Sequence, residues 1–343
     1  MKFPPTTIPP PERPEMADYA AAARAITTAD SLGLVSHLNP DPDTIGSAAA
    51  LALAAQRAGK RVAAYCRDAV PANYRFIPGS GLFSTNPAVL EGVDVLVVVD
   101  CSEPGRIGPD GEAILSTAAL VIDIDHHTDG VVFGKVRLVE PGAAASGVLI
   151  HELLNELGWS VDREIAEALY TAIETDTGSF HYPNTTPRCL RVTAELLERG
   201  CRPQKVAQAL YESHRPERFR LLGLALNTLE LALEGRLALI QVTRAMYDRT
   251  GASVEDTEDI VDYARGLAGV EVGAFLREEA DGTVKLSLRS KGAVRVDELA
   301  RRIGGGGHPC AAGAGFSGSL GEAREWVIAN VAQALSEPAG ADC

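Results

Sequence analysis

The chain has 343 residues, 46% hydrophobic and 23% charged, which suits two globular domains better than one. Its formal net charge of −14 argues against a protein that tracks long nucleic acid by neutralising phosphates. No apolar run approaches the length needed to span a bilayer, and six scattered cysteines without a CxxC pair suit free thiols in a reducing cytoplasm.

Residues 1–15 are a proline-rich tail that resembles neither a secretory nor a transit peptide. From residue 16 the pattern alternates helix and strand. "MADYAAAARAITTA" is helical, "LGLVSH" is a short apolar strand, "TIGSAAALALAAQRAG" is a helix ended by Gly59, and "RVAAYC" is a strand. The β-branched run "VDVLVVVD" and the segment "ALVIDIDHH" read as buried parallel strands, and "ASGVLIHELLNELG" and "DREIAEALYTAIETDTG" as helices. Strands alternating with helices imply a parallel sheet with helices on both faces.

Residues 184–234 read as almost wholly helical, and 211–234 as a connector. After it come a strand "RLALIQVT", a helix "VEDTEDIVDYARGL", a hairpin turning at Asp281-Gly282, a helix "RVDELARRI", a glycine-rich loop "GGGGHPCAAGAGF" and a final helix. The expected organisation is therefore a first α/β domain over 16–210, the connector, and a smaller α/β domain over 235–340.

The polar residues of the first domain collect where its strands and helices end. His37, Asp41 and Asp43 follow the first strand, Asp100 ends "VLVVVD", Asp125, His126 and His127 end "LVIDIDHH", and Asp176 precedes Gly178. Each aspartate taken singly reads as a helix N-cap, and a lone His-His pair carries little weight. Together they form a mixed carboxylate and imidazole set suited to a divalent cation, Mn²⁺ first, with Co²⁺, Zn²⁺ or Mg²⁺ as alternatives. In open parallel sheets the carboxyl ends of strands are where ligands bind.

"HLNPDPD", "VVVD", "DHH" and "DTGSF", in this order, resemble the motifs of the DHH phosphoesterase superfamily, and "GGGGHPCAAG" resembles the loop of its accompanying DHHA1 domain. The two-domain length resembles the branch of bifunctional oligoribonucleases and 3′-phosphoadenosine-5′-phosphate (pAp) phosphatases, close to stand-alone cyclic-di-AMP and pApA phosphodiesterases. That resemblance implies a hydrolase that removes mononucleotides from short RNA or DNA oligonucleotides and dephosphorylates pAp, by attack of a water activated between two Mn²⁺ ions. His37, Asp41 and Asp100 would hold one ion; Asp43, Asp100, His126 and Asp176 the other, with Asp100 bridging. Asp125 would orient a neighbouring histidine, and His127 would face the substrate. Pro42 stands where the family usually has glycine, and it pushes Asp41 toward an extended conformation.

In the second domain the family grips the substrate end away from the metals. Arg289, on a strand face with Ser287 and Lys291, and Gly305, Gly306, Gly307 and His308 are the binding candidates. Cyclic-di-AMP or pApA hydrolysis is the nearest alternative. A pyrophosphatase or exopolyphosphatase, and a nucleotide-binding regulator without catalysis, are more distant, and the acidic balance disfavours a long-strand exonuclease. The expected location is cytoplasmic with no membrane partner; the sequence leaves a homodimer and a single chain both open.

Overall fold

The computed structural model describes residues 18–127 and 130–336, apart from the side chain of His308, so the proline-rich tail lies outside the described residues. The chain divides into two compact units between Ser213 and His214.

The first unit opens with α1 (Tyr19–Thr28), β1 (Ser31–Val35), α2 (Pro42–Arg57), β2 (Arg61–Tyr65) and a two-residue β3 (Phe83–Ser84). It continues with β4 (Val95–Val99), α3 (Gly111–Leu115), β5 (Leu120–Asp125), β6 (Val136–Val139), α4 (Ser146–Glu156), α5 (Arg163–Asp176), α6 (Pro187–Glu198) and α7 (Pro203–Tyr211). The six strands form one parallel sheet in the order β3-β2-β1-β4-β5-β6. Every residue of β1 and β4 is buried, which is why these segments lack polar alternation. The chain runs outward from β1 to β3 and then returns to the other side of β1 with β4. The carboxyl ends of β1 and β4 therefore flank the point where strand order reverses, and that crevice is the ligand position of such sheets.

Helices α2, α4 and α5 pack tightly because small residues face one another. A Cβ added at Gly46 would lie 2.6 Å from the Ala168 carbonyl oxygen, and one at Gly147 would lie 3.0 Å from Ala172 Cβ. This close approach brings the first turn of α2, the first turn of α4 and the last turn of α5 to one place.

The second unit contains α8 (Pro216–Leu226), β7 (Glu230–Ala232), β8 (Leu237–Val242), α9 (Arg244–Thr250), α10 (Ile260–Arg265), β9 (Val272–Glu278) and β10 (Val284–Ser290). It ends with α11 (Val296–Arg301), β11 (Gly306–His308), β12 (Ala311–Phe316) and α12 (Leu320–Ser336). Its sheet is mixed, in the order β11-β12-β10-β9-β8-β7, with β8 and β9 parallel and the other pairs antiparallel.

Several expectations are corrected. The stretch 184–234 is not helical to its end: Glu230–Ala232 pairs with β8 as an edge strand, where only neighbouring chain supplies the reason for extension. The expected helix near 254–267 is broken into a 3-10 turn, Val254–Thr257, and α10 by Asp259, whose φ is 63°. The glycine run is not a loop, because Gly306–His308 pairs with β12. Cysteines 66, 101, 189 and 201 are free and buried, but Cys310 is disulfide-bonded, a pairing that spacing along the chain does not announce. No helix among the described residues is long and apolar enough to cross a membrane.

Candidate metal centre

Asp41 is the N-cap of α2 in an extended conformation (φ −100°, ψ 177°), with Pro42 as the first helical residue. Its Oδ1 accepts from the Thr44 N–H at 3.0 Å, while Oδ2 lies 3.6 Å from His37 Nε2. The same carboxylate thus caps the helix and faces the imidazole. The proline departure favours this geometry, since the residue before a proline prefers extended backbone.

Asp100 leaves β4 in a left-handed conformation, φ 60°, while its N–H still donates to Ile124 at 2.8 Å. Non-glycine residues rarely adopt that region, and such strain collects at functional sites. The turn places Oδ2 3.5 Å from His37 Nε2, and Oδ1 3.4 Å from His126 Nε2 and 3.6 Å from His127 Nδ1. His126 Nε2 also lies 3.7 Å from Asp43 Oδ2 and 3.7 Å from Asp176 Oδ2. Two ligand-like clusters result, His37–Asp41–Asp100 and Asp43–His126–Asp176, and Asp100 touches both. A third grouping of Asp100, His126 and His127 is also close. In that grouping, however, His127 Nδ1 is engaged by Asp125 Oδ1 at 2.6 Å, and Asp125 also accepts the N–H groups of His126 and His127.

The electrostatics are those of a site short of positive charge. Burial, together with the charges of Asp100 and Asp176, pushes the Asp43 carboxyl well above its usual range. Asp176 is pushed up to about 6 by burial and by Asp100 and Asp41, against the pull of His126. Burial opposes a charged His37, yet Asp100 and Asp41 raise it to about 10. His126 is raised well above its usual value by Asp176 and Asp100 despite its burial. Asp100, held by the imidazoles His126 and His37 against its burial, stays well below the carboxylate range. Protons on histidines are offsetting carboxylate charge that a divalent cation would offset better.

One atom tests whether the residues fit a metal. His37 Nδ1 lies 2.7 Å from the Leu38 carbonyl oxygen, so it carries a ring proton, and Nε2 is the nitrogen that would give up its proton to ligate. That Nε2 is buried without a hydrogen-bond partner. An orphaned imidazole nitrogen aimed between two carboxylates is what a metal ligand looks like, and the donor set of imidazole and carboxylate suits Mn²⁺, Mg²⁺, Co²⁺ or Zn²⁺.

All eight sequence-selected residues of this unit, His37, Asp41, Asp43, Asp100, Asp125, His126, His127 and Asp176, come together. Unforeseen were Ser47, which donates to Asp43 Oδ1 at 3.0 Å, and the first turn of α4. There the N–H groups of Ser146 and Gly147 donate to Asp43 at 2.7 and 3.0 Å, and the Ser146 hydroxyl donates to Asp100 at 3.0 Å. The signal lay in "AAASG" ahead of an apolar run, because free N–H groups at a helix start attract anions.

In the second unit, Leu286, Leu288 and Ser290 are buried while Ser287 and Arg289 are half-buried, following the expected alternation of the hairpin. Across the sheet Arg289 pairs with Ala311, and Ala311 with His308, so these backbone positions lie in register on three adjacent strands. The glycines divide by role. A Cβ at Gly305 would meet the Gly313 oxygen at 2.3 Å and one at Gly307 the Ala311 oxygen at 2.4 Å, so these two serve backbone packing; Gly306 has open space around it. The His308 side chain lies outside the described residues.

A doubly wound parallel sheet with a histidine–aspartate cluster at its switch point, followed by a separate mixed-sheet unit, is the architecture of a metal-dependent phosphoesterase. Residues 32–173 match the N-terminal domain of the DHH family and residues 239–337 match the DHHA1 domain. The sequence is 36% identical over 304 residues to the bifunctional oligoribonuclease and PAP phosphatase NrnA of Thermus thermophilus, covering 88% of this chain and 90% of that one. It is 28% identical over 300 residues to the protein of the same name from Bacillus subtilis, covering 85% and 91%. The crystal structure of an exopolyphosphatase-related protein from Bacteroides fragilis superposes with a TM-score of 0.86 at 27% identity, covering 92% of this chain and 95% of that one. The chain belongs to the DHH family.

Proposed function

We propose that this protein hydrolyses short oligonucleotides to nucleoside monophosphates and pAp to AMP and phosphate, using two divalent ions. The observation that carries the reading is the pair of clusters sharing Asp100, with His37 Nε2 buried between Asp41 and Asp100, 3.6 and 3.5 Å from their carboxylate oxygens. The substrate class is supported by the Thermus thermophilus relative, which is similar over nearly the whole of both chains.

In this reading His37, Asp41 and Asp100 hold one ion and Asp43, Asp100, His126 and Asp176 the other. Bound divalent ions supply positive charge to the phosphoryl group and make a neighbouring water more acidic. His127 is proposed to act on the substrate rather than on a metal. Its Nδ1 is committed to Asp125, which fixes the ring and leaves Nε2 to donate a proton to a phosphoryl oxygen or to the leaving group. Arg289 and the β11 backbone are proposed to bind the phosphorylated nucleotide, Arg289 by a two-pronged contact. Mn²⁺ is the proposed ion, and the cytoplasm the proposed location.

The test is a panel of pAp, pApA, cyclic-di-AMP, short RNA and pyrophosphate incubated with the purified protein and Mn²⁺. Release of phosphate from pAp and of mononucleotides from di- and trinucleotides is expected. Turnover confined to pyrophosphate or to cyclic-di-AMP would refute the substrate assignment while leaving the metal centre standing.

A further inference from the structure

The turn entering α4 supplies none of the proposed ligands, yet it touches two of them. Ser146 is fully buried; its N–H donates to Asp43 Oδ2 at 2.7 Å and its hydroxyl to Asp100 Oδ1 at 3.0 Å. Asp43 belongs to α2 and Asp100 follows β4, so one residue of a third element ties them together. Two positions upstream, the Ala144 carbonyl accepts from Asn184 Nδ2 at 2.9 Å. The same amide nitrogen lies 3.1 Å from the Asp176 carbonyl oxygen and 3.5 Å from Asp176 Oδ2. Asn184 therefore joins the end of α5, which carries Asp176, to the segment that carries Ser146.

Such a frame has a physical task. Buried carboxylates at close range repel one another and turn away unless fixed donors hold each oxygen in place. Donors outside the ligand set that fix ligand orientation alter metal affinity when removed, characteristically by 10- to 100-fold.

We propose that Ser146 and Asn184 are positioning residues of the metal centre: Ser146 orients the carboxylate shared by both ions, and Asn184 orients the ligand of one ion only. The proposal rests on the two-ion reading above and predicts different patterns for the two variants. Ser146→Ala removes the hydroxyl while its backbone N–H still reaches Asp43, so both binding events should weaken by about 10- to 100-fold. Asn184→Ala should weaken one event by a similar factor and leave the other unchanged, because among the described residues the Asn184 amide donates to Ala144 and Asp176, not to His37 or Asp41.

The experiment is calorimetric titration of Mn²⁺ into the full-length parent and both variants after chelator treatment, with thermal melts of the chelated proteins alongside. The expected result is the split in Mn²⁺ dissociation constants, over and above any fall in the metal-free melting temperature that the lost hydrogen bond to Asp100 brings in Ser146→Ala. A purely structural role would lower that melting temperature and leave the Mn²⁺ constants alone. Parent-like constants in Ser146→Ala would overturn its part of the proposal. Equal weakening of both events in Asn184→Ala, or of neither, would overturn the other part. A parent protein that binds no Mn²⁺ would instead overturn the metal reading on which the proposal stands.

Discussion

Mn²⁺ binding near neutral pH is expected to release protons and to strengthen steeply as pH rises. His37 is 2% exposed, and in the metal-free protein Asp100 and Asp41, against its burial, hold its proton up to about pH 10. An imidazole must be neutral to ligate. Removing that proton at pH 7 costs about 4 kcal/mol, since three pH units separate pH 7 from about 10 at about 1.4 kcal/mol each, or roughly a thousandfold in apparent affinity. His126, raised by Asp176 and Asp100 against its burial, must lose a proton in the same way. The sign for the fold alone is opposite. A raised imidazole pKa stabilises the metal-free protein fully below about pH 6.5, and that contribution is lost as pH climbs through about 10. Metal stabilisation should therefore grow as the intrinsic contribution declines. Titration of Mn²⁺ between about pH 6.5 and about pH 8, in buffers of differing ionisation enthalpy, should give about a tenfold gain in affinity per pH unit for each proton displaced. His37→Ala should lower the proton count by one. A pH-independent affinity with no proton release would refute the argument that these histidines are charged before metal arrives.

Asp100→Ala should lose nearly all turnover, because the carboxylate faces both clusters; substantial residual activity would contradict a shared ligand. His127→Ala should fold and keep two Mn²⁺ by metal analysis while turning over slowly, since its Nδ1 is held by Asp125; loss of an ion would mean the histidine roles are exchanged. Gly46→Ala would place a Cβ 2.6 Å from the Ala168 oxygen, forcing α2 from α5 at a cost of about 1–3 kcal/mol, read as a lower melting temperature; an unchanged melt would show that the packing yields freely. Arg289→Ala should raise KM for pAp more than it lowers kcat, as expected for lost ground-state binding, and the reverse split would assign Arg289 to the chemistry.

The alternation of apolar runs and helical periods was sufficient to read the parallel sheet, since a strand buried on both faces must be apolar throughout. The candidate ligands were legible too, because carboxylates and imidazoles placed at three such strand ends and at one helix end have few structural reasons to recur together. What the chain could not display was anything that depends on a neighbour distant in sequence. Glu230–Ala232 is a strand only because β8 lies beside it, and Gly306–His308 only because β12 does. Gly305 and Gly307 read as open approach to a ligand, whereas backbone oxygens of β12 occupy the space their side chains would need. The helix start at Ser146 is marked locally, but its pairing with Asp43 and Asp100, 103 and 46 residues away, is not, because nothing near it in the chain says which anions its N–H and hydroxyl will meet. Residue type and local period determined which groups can act; the close packing of α2, α4 and α5 decided which of them meet, since hydrogen bonds and Coulomb forces depend on distances in space, not on separation along the chain.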